Sequence, residues 1–170
     1  IEADDYFDEP PKGYFRLAPD KEVRLKGAYL VRFVSAEKDE AGNVTAVHVE
    51  YDPASKGGNA PDGRKVKGTL HWVSAADCVD AEIRLYDRLF NVENPSNEAG
   101  VEDFTANLNP DSLQLLTGCK VEPVVAAAKP LDTFQFMRQG YFCVDKESTA
   151  QKPVFNRTVA LKDSWAKQGK

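Results

Sequence analysis

The chain has 170 residues, 42% hydrophobic and 10% aromatic, enough apolar material for one domain of ordinary size or two small ones. Its formal net charge is −5, and no apolar run approaches the roughly 20 residues of a membrane helix. No membrane-spanning helix is therefore expected within these residues, and a partner held by a broad positive field is disfavoured. Five acids (Glu2, Asp4, Asp5, Asp8, Glu9) lie in residues 1–10, which contain no Lys or Arg, so the rest of the chain is formally neutral. A neutral body with local cationic clusters can bind a folded RNA through base contacts and shape. Residue 1 is Ile, so a fragment or processed product is expected, and no signal peptide opens the chain. Cys78, Cys119 and Cys143 lack Cys-x-x-Cys spacing, which argues against a disulfide framework or a zinc site and for inert thiols in a reducing cytosol.

Pro10–Gly13 reads as a linker or entry turn. Glu22–Lys26 alternates charged and apolar residues, a strand with one wet face. Ala28–Val34 is a more continuously apolar strand. Lys38–Asn43 is a polar turn, and Val44–Tyr51 is the returning partner of a hairpin. Asp52–Gly63 is an exposed Gly/Pro/Asn/Ser loop. Val66–Val73 and Ala81–Phe90 read as strands, with a break at Asn91–Asn97. Val101–Ala106 reads as one short helix, Ser112–Thr117 as a strand, and Glu122–Ala128 as a helical turn. Thr133–Arg138, Tyr141–Val144, Val154–Arg157 and Thr158–Lys162 close the sheet. Many short strands with spaced turns predict an all-β fold with one or two short helices, as two small β-barrels rather than one large one.

The most distinctive stretch is Phe134-Gln-Phe-Met-Arg-Gln-Gly-Tyr-Phe142, followed by Pro153-Val-Phe-Asn-Arg-Thr-Val159. It sets amides, guanidinium groups and aromatic rings side by side on strands, the chemistry that stacks on unpaired bases and hydrogen-bonds their edges. No Ser/His/Asp, paired-carboxylate or metal constellation emerges, so no catalytic site is expected in this chain.

Several segments together resemble the C-terminal anticodon-binding region of glutaminyl-tRNA synthetase. They are Asp62–Gly68, His71–Ala75, Glu82–Phe90, Phe134–Phe136, Gly140–Phe142 and Phe155–Val159, in order over essentially the whole chain. The resemblance implies two barrels of ribosomal-protein-like type: an entry segment at 1–20 contributing to a proximal barrel, a distal barrel at 21–90, and the proximal barrel at 91–170. It implies a cytoplasmic class I ligase whose N-terminal catalytic domain lies in the same polypeptide and handles ATP and Mg2+, with no cofactor held here. The implied partner is the anticodon loop of glutamine tRNA, with neither DNA nor membrane. The same domain from a glutamyl-tRNA synthetase, or a stand-alone β-barrel RNA-binding or interaction module, remains an open alternative.

By position in the motif, Arg16, Arg24 and Lys26 resemble the family's base- and phosphate-contacting cations on one barrel, and Gln135 and Arg138 its readers on the other. Gln offers a donor and an acceptor to a uracil-like edge, and Arg a planar fork to guanine or phosphate. Arg24 and Lys26, two apart on a strand, share a face. Phe134 and Phe136 are expected inward with Gln135 outward. Arg138, an odd step further, needs a bulge or turn to come round to that face. Lys26 stands where the family often has a second Arg, and Lys lacks the planar fork. Phe15 occupies a place a cation can fill, which suggests stacking or core.

Other polar residues carry plainer readings. Arg84 and Arg88, among Glu82 and Asp87, are expected in structural salt bridges. His71 is expected as a core histidine, and His48 is lone. Trp72 and Trp165 are expected in packing. Asp62–Lys67 fits both a tRNA-backbone contact and an exposed charged turn.

Overall fold

The computed structural model describes residues 1–97 and 103–161. They form two compact β units, Ile1–Trp72 and Val73–Lys170.

The first unit contains β1 (Glu22–Leu25), β2 (Leu30–Lys38), β3 (Val44–Tyr51) and β4 (Thr69–Leu70), in sheet order β3-β2-β1-β4. β1 and β2 are antiparallel, as are β2 and β3, whereas β4 runs parallel to β1. The alternation of Glu22–Lys26 is realised: Val23 is buried and packs with Tyr6, Leu17, Val31 and Leu70. β2 runs on to Lys38 because β3 keeps pairing with it as far as Lys38↔Val44. The turn between them is built on Asp39, whose carboxylate accepts from the backbone N–H of Ala41 (3.0 Å) and Asn43 (2.8 Å). The strand expected over Val66–Val73 shrinks to two residues, since only Thr69 and Leu70 meet β1 in register.

The second unit contains β5 (Val79–Tyr86), β6 (Leu113–Val121), β7 (Thr133–Phe136), β8 (Gly140–Val144) and β9 (Val154–Ala160), in order β6-β5-β9-β8-β7. β5 is antiparallel to β6 and parallel to β9. The two closing segments expected at 154–162 are one strand, whose irregularity is absorbed as a register shift between Tyr141 and Phe142; Lys162 lies outside the described residues. The core joins Ala81 and Ile83 of β5 to Phe142, Val144 and Phe155, with Val121 and Val125. Phe136 stacks on Phe142 (ring centroids 4.5 Å apart) and meets Phe155 edge-on at 5.2 Å.

The all-β architecture of two small barrel-like units is therefore present, but with differences. The expected joint at 90/91 falls at 72/73, because Val79–Tyr86 is hydrogen-bonded between β6 and β9 and belongs wholly to the second sheet. The entry segment at 1–20, expected with the second barrel, packs into the first unit: Tyr6 bridges Leu17, and both enter its core. The short helices expected beside the strands are present as 3-10 helices, four of them among the described residues: Ala3–Asp5, Pro53–Ser55, Phe104–Asn107 and Pro123–Ala127. Of the helix expected at 101–106, residues 101 and 102 lie outside the described residues, as does Trp165.

On the face of β5 away from the core, Arg84 binds Glu82 (2.8 Å), Glu147 (2.9 Å) and Asp145 (3.4 Å), the structural salt bridges expected of it. Lys152 joins Glu82 at 3.0 Å. Arg88 lies 4.0 Å from Asp87, a long pair. Hydrogen bonds from Arg84 and then Lys152 hold the Glu82 carboxyl below the usual carboxylate range. The Glu147 backbone N–H, then the Asn156 amide, do the same for Asp145.

Two outcomes follow. Phe155→Ala empties the centre of the second core and is expected to cost about 3–5 kcal/mol in urea unfolding; a cost below about 1 kcal/mol would refute that packing role. Because the folded Glu82 and Asp145 are depressed, their contribution is complete above the unfolded carboxylate pKa of about 4 and is lost as pH falls through the lower folded values. Urea midpoints should therefore stay level from about pH 7 to 5 and drop below about 4, and the Glu82→Gln/Asp145→Asn double variant should flatten that drop.

Candidate nucleic-acid interface

In the first unit, Arg24 points away from the core side taken by Val23 and Leu25, on the face that strand alternation gives to Lys26 as well. Its guanidinium is not loose. Nε donates to the Gly58 carbonyl and Nη1 to Thr69 Oγ1 at 3.2 Å. Lys26 is exposed just past β1, its backbone tied to Leu70 O (3.0 Å), and its carbonyl accepts Trp72 Nε1–H at 3.1 Å. Arg16 folds back on the acidic entry segment, donating to Asp4 O at 3.0 Å and pairing with Asp5 at 3.3 Å. Its side chain keeps 38% of its surface exposed while Asp5 is buried. Phe15 is 56% exposed, so it is not core; Lys67 Nζ lies 5.1 Å from its ring centroid, a cation–π contact.

Beside these cations is a brace that sequence reading missed. Arg64 forks onto both carboxylate oxygens of Glu22 (3.0 and 2.8 Å) and also binds Asp52 (2.6 Å) and Asp62 (2.7 Å). The three carboxylates raise the Arg64 pKa further. The Arg64 side chain lowers the Asp52 pKa, and the Arg64 backbone N–H, then its side chain, lowers that of Asp62. Arg64 thus ties both ends of the 52–63 loop to β1. Asp62 is only two residues away, but Glu22 and Asp52 are 42 and 12 residues distant, so no local pattern announces the whole brace.

In the second unit the expected facing is realised. Phe134 and Phe136 pack on the core, while Gln135 is exposed on β7, an edge strand. Gln135 pairs directly with Tyr141, which is 46% exposed, and Tyr141 pairs with Val159 on β9. An amide, a phenol ring and an apolar side chain therefore form one cross-strand row, a surface on which a planar base can stack while its edge is read. Tyr141 was not singled out as a site residue from the sequence, although the hairpin register that opposes Phe136 to Gly140 fixes it beside Gln135.

Arg138 lies beyond the pleat. β7 ends at Phe136, and Gln139 N–H donates back to Phe136 O at 3.0 Å. Arg138 takes the third position of that turn with φ of 68°, a left-handed backbone usually filled by Gly or Asn. The required turn exists, and it rather than strand alternation sets the direction of Arg138. Gly140, which follows, has φ of 144°, and a Cβ there would stand 2.4 Å from Val159 O, so no larger residue lets β8 meet β9 this closely.

The remaining polar residues read plainly. His71 is half-buried, and His48 is exposed with Nε2 2.6 Å from Glu37. Trp72 is 37% exposed, tied by its indole N–H rather than buried. The three cysteines are half-buried and unbridged. Among the described residues, no group of three His, Cys, Asp or Glu is placed to hold a metal ion.

Two family models described as "tRNA synthetases class I (E and Q), anti-codon binding domain" match residues 1–52 and 69–145. A glutamine–tRNA ligase of Pseudomonas syringae pv. tomato is 55% identical over 166 residues, covering 97% of this chain and 29% of the relative. That of Pseudomonas putida is 54% identical over the same shares, and that of Bradyrhizobium diazoefficiens is 52% identical over 99% of this chain and 29% of the relative. The chain thus spans less than a third of the length of these relatives. With matching models over both β units and identity along nearly its whole length, the chain belongs to the anticodon-binding domains of the class I tRNA synthetases for glutamate and glutamine.

Proposed function

We propose that this chain reads the anticodon of glutamine tRNA for a cytoplasmic glutamine–tRNA ligase. The ATP- and Mg2+-dependent chemistry resides in a catalytic domain elsewhere in the same polypeptide. The partner is RNA rather than DNA or a membrane surface. In this reading Gln135 hydrogen-bonds the edge of a uracil-like base while Tyr141 offers its ring. Arg138, held by its turn, supplies a cation beside that hairpin. In the first unit Arg24 makes the base-directed fork contact, Lys26 neutralises phosphate, and Arg16 adds a half-exposed cation. The observation that carries the reading is the exposed row Gln135–Tyr141–Val159, backed by a packed aromatic core.

The neutral body implies affinity drawn more from bases than from a phosphate field. Binding should weaken as salt rises, with a slope set by the few cations above.

The test is a titration of this chain against an anticodon stem-loop of glutamine tRNA at two salt concentrations. A glutamate-type loop and a loop with its middle base changed serve as controls. Preference for the glutamine loop, reduced about tenfold or more by Gln135→Ala and by Tyr141→Ala with the fold intact, is the expected result. Preference for the glutamate loop would assign the chain to the glutamate branch of the family. Equal weak binding to all loops that vanishes with salt would defeat the reading.

A further inference from the structure

The loop from Asp52 to Gly58 does more than cover the edge of the first sheet. Ser55 is fully buried; its hydroxyl accepts from Leu30 N–H (2.8 Å) and donates to Asp52 O (2.6 Å). Gly57 N–H donates to Ala28 O at 2.7 Å, and Gly58 N–H to Ser55 O at 2.7 Å. Asp52 is held again by Arg64. Every tether ends at one product, the placement of the Gly58 carbonyl against Arg24 Nε.

Gly58 is suited to that place. It is buried, with φ of 90°, and a Cβ on it would stand 2.7 Å from Arg24 Cδ. Only a residue without a side chain lets the loop lie on the Arg24 stem in this conformation. An arginine on an open strand face has many rotamers to give up on binding. Fixing Nε on Gly58 O and Nη1 on Thr69 removes much of that freedom before any ligand arrives, and sets the direction in which Nη2 can donate to a ligand.

We infer that Gly58 is a positioning residue: its carbonyl pre-orients the Arg24 fork for a hydrogen-bonding edge of an unpaired base. This rests on the reading of Arg24 as a base contact.

The experiment has two readouts on the wild-type chain, Gly58→Ala, Thr69→Val and Arg24→Ala. One is the Arg24 Nε–H resonance in 15N-resolved NMR, assigned by its loss in Arg24→Ala, with its exchange rate with water. The other is the binding ratio between the glutamine anticodon loop and loops with one anticodon base changed. Gly58→Ala is expected to move the Nε–H signal to the position and fast exchange of a solvated arginine. It should cut discrimination by about tenfold, as Arg24→Ala does. Gly58→Ala combined with Arg24→Ala should be no weaker than Arg24→Ala alone. Thr69→Val, which leaves the loop untouched, should lower discrimination in the same direction by less, and guards against a misfolded Gly58→Ala. If Arg24→Ala loses discrimination while Gly58→Ala and Thr69→Val keep it, the inference falls and the Arg24 reading stands. If Arg24→Ala discriminates like wild type, the base-contact reading falls and the inference with it, even where Gly58→Ala releases the Nε–H signal.

Discussion

Phe155 occupies the point where β5, β8 and β9 meet, with the rings of Phe134 and Phe136 against it at 6.2 and 5.2 Å. These edge contacts hold an edge strand that has, among the described residues, one hydrogen-bonded neighbour. Because the strand period is two, seating Phe134 and Phe136 on Phe155 leaves Gln135 one direction to point, away from the core. A slip of a single residue would bury the amide and expose both rings, at the cost of the apolar burial and of an unpaired polar group. The direction of a polar, surface-exposed side chain is thus fixed by apolar groups it never touches.

The first unit solves a similar problem with hydrogen bonds. Its core is smaller in aromatic content, and its polar residues are steered by loops. Arg64 gathers Glu22, Asp52 and Asp62; Ser55 anchors the chain from inside; Arg16 is drawn toward Asp5. Surface ion pairs contribute little to stability one at a time, because water screens them and ordering two long side chains costs entropy. Here several converge on one guanidinium, and their effect is to fix where a loop lies.

How far the sequence discloses this depends on the range of each interaction. Local alternation is enough to place Val23 inside and Arg24 outside, and to place Gln135 opposite in sense to its two phenylalanines. The β2–β3 hairpin is likewise announced by Asp39–Asn43. The boundary between the units was not legible at 90/91, because Val79–Tyr86 looks like one more strand in a run, and its parallel partner β9 lies beyond three further strands. Val66–Val73 has the composition of a strand but finds a partner for only two residues. The brace at Arg64 and the contact between Gly58 and Arg24 depend on loop geometry, which no periodicity encodes. Tyr141 was the accessible omission: once the turn at Met137–Gln139 is placed, antiparallel register sets it beside Gln135.

The parallel pairing of Glu82–Arg84 with Val154–Asn156 also governs the order in which the second unit can assemble. β5 and β6 can zip together early, as can the β7–β8 hairpin, because their partners are near in sequence. The two ladders share no hydrogen bond until β9 slides between them. On a ribosome, this half of the molecule stays as two open-edged pieces until Val154–Ala160 has left the exit tunnel. The last strand of the sheet is then the keystone, and during synthesis the exposed phenylalanines of β7 and β8 are the surface most in need of a chaperone.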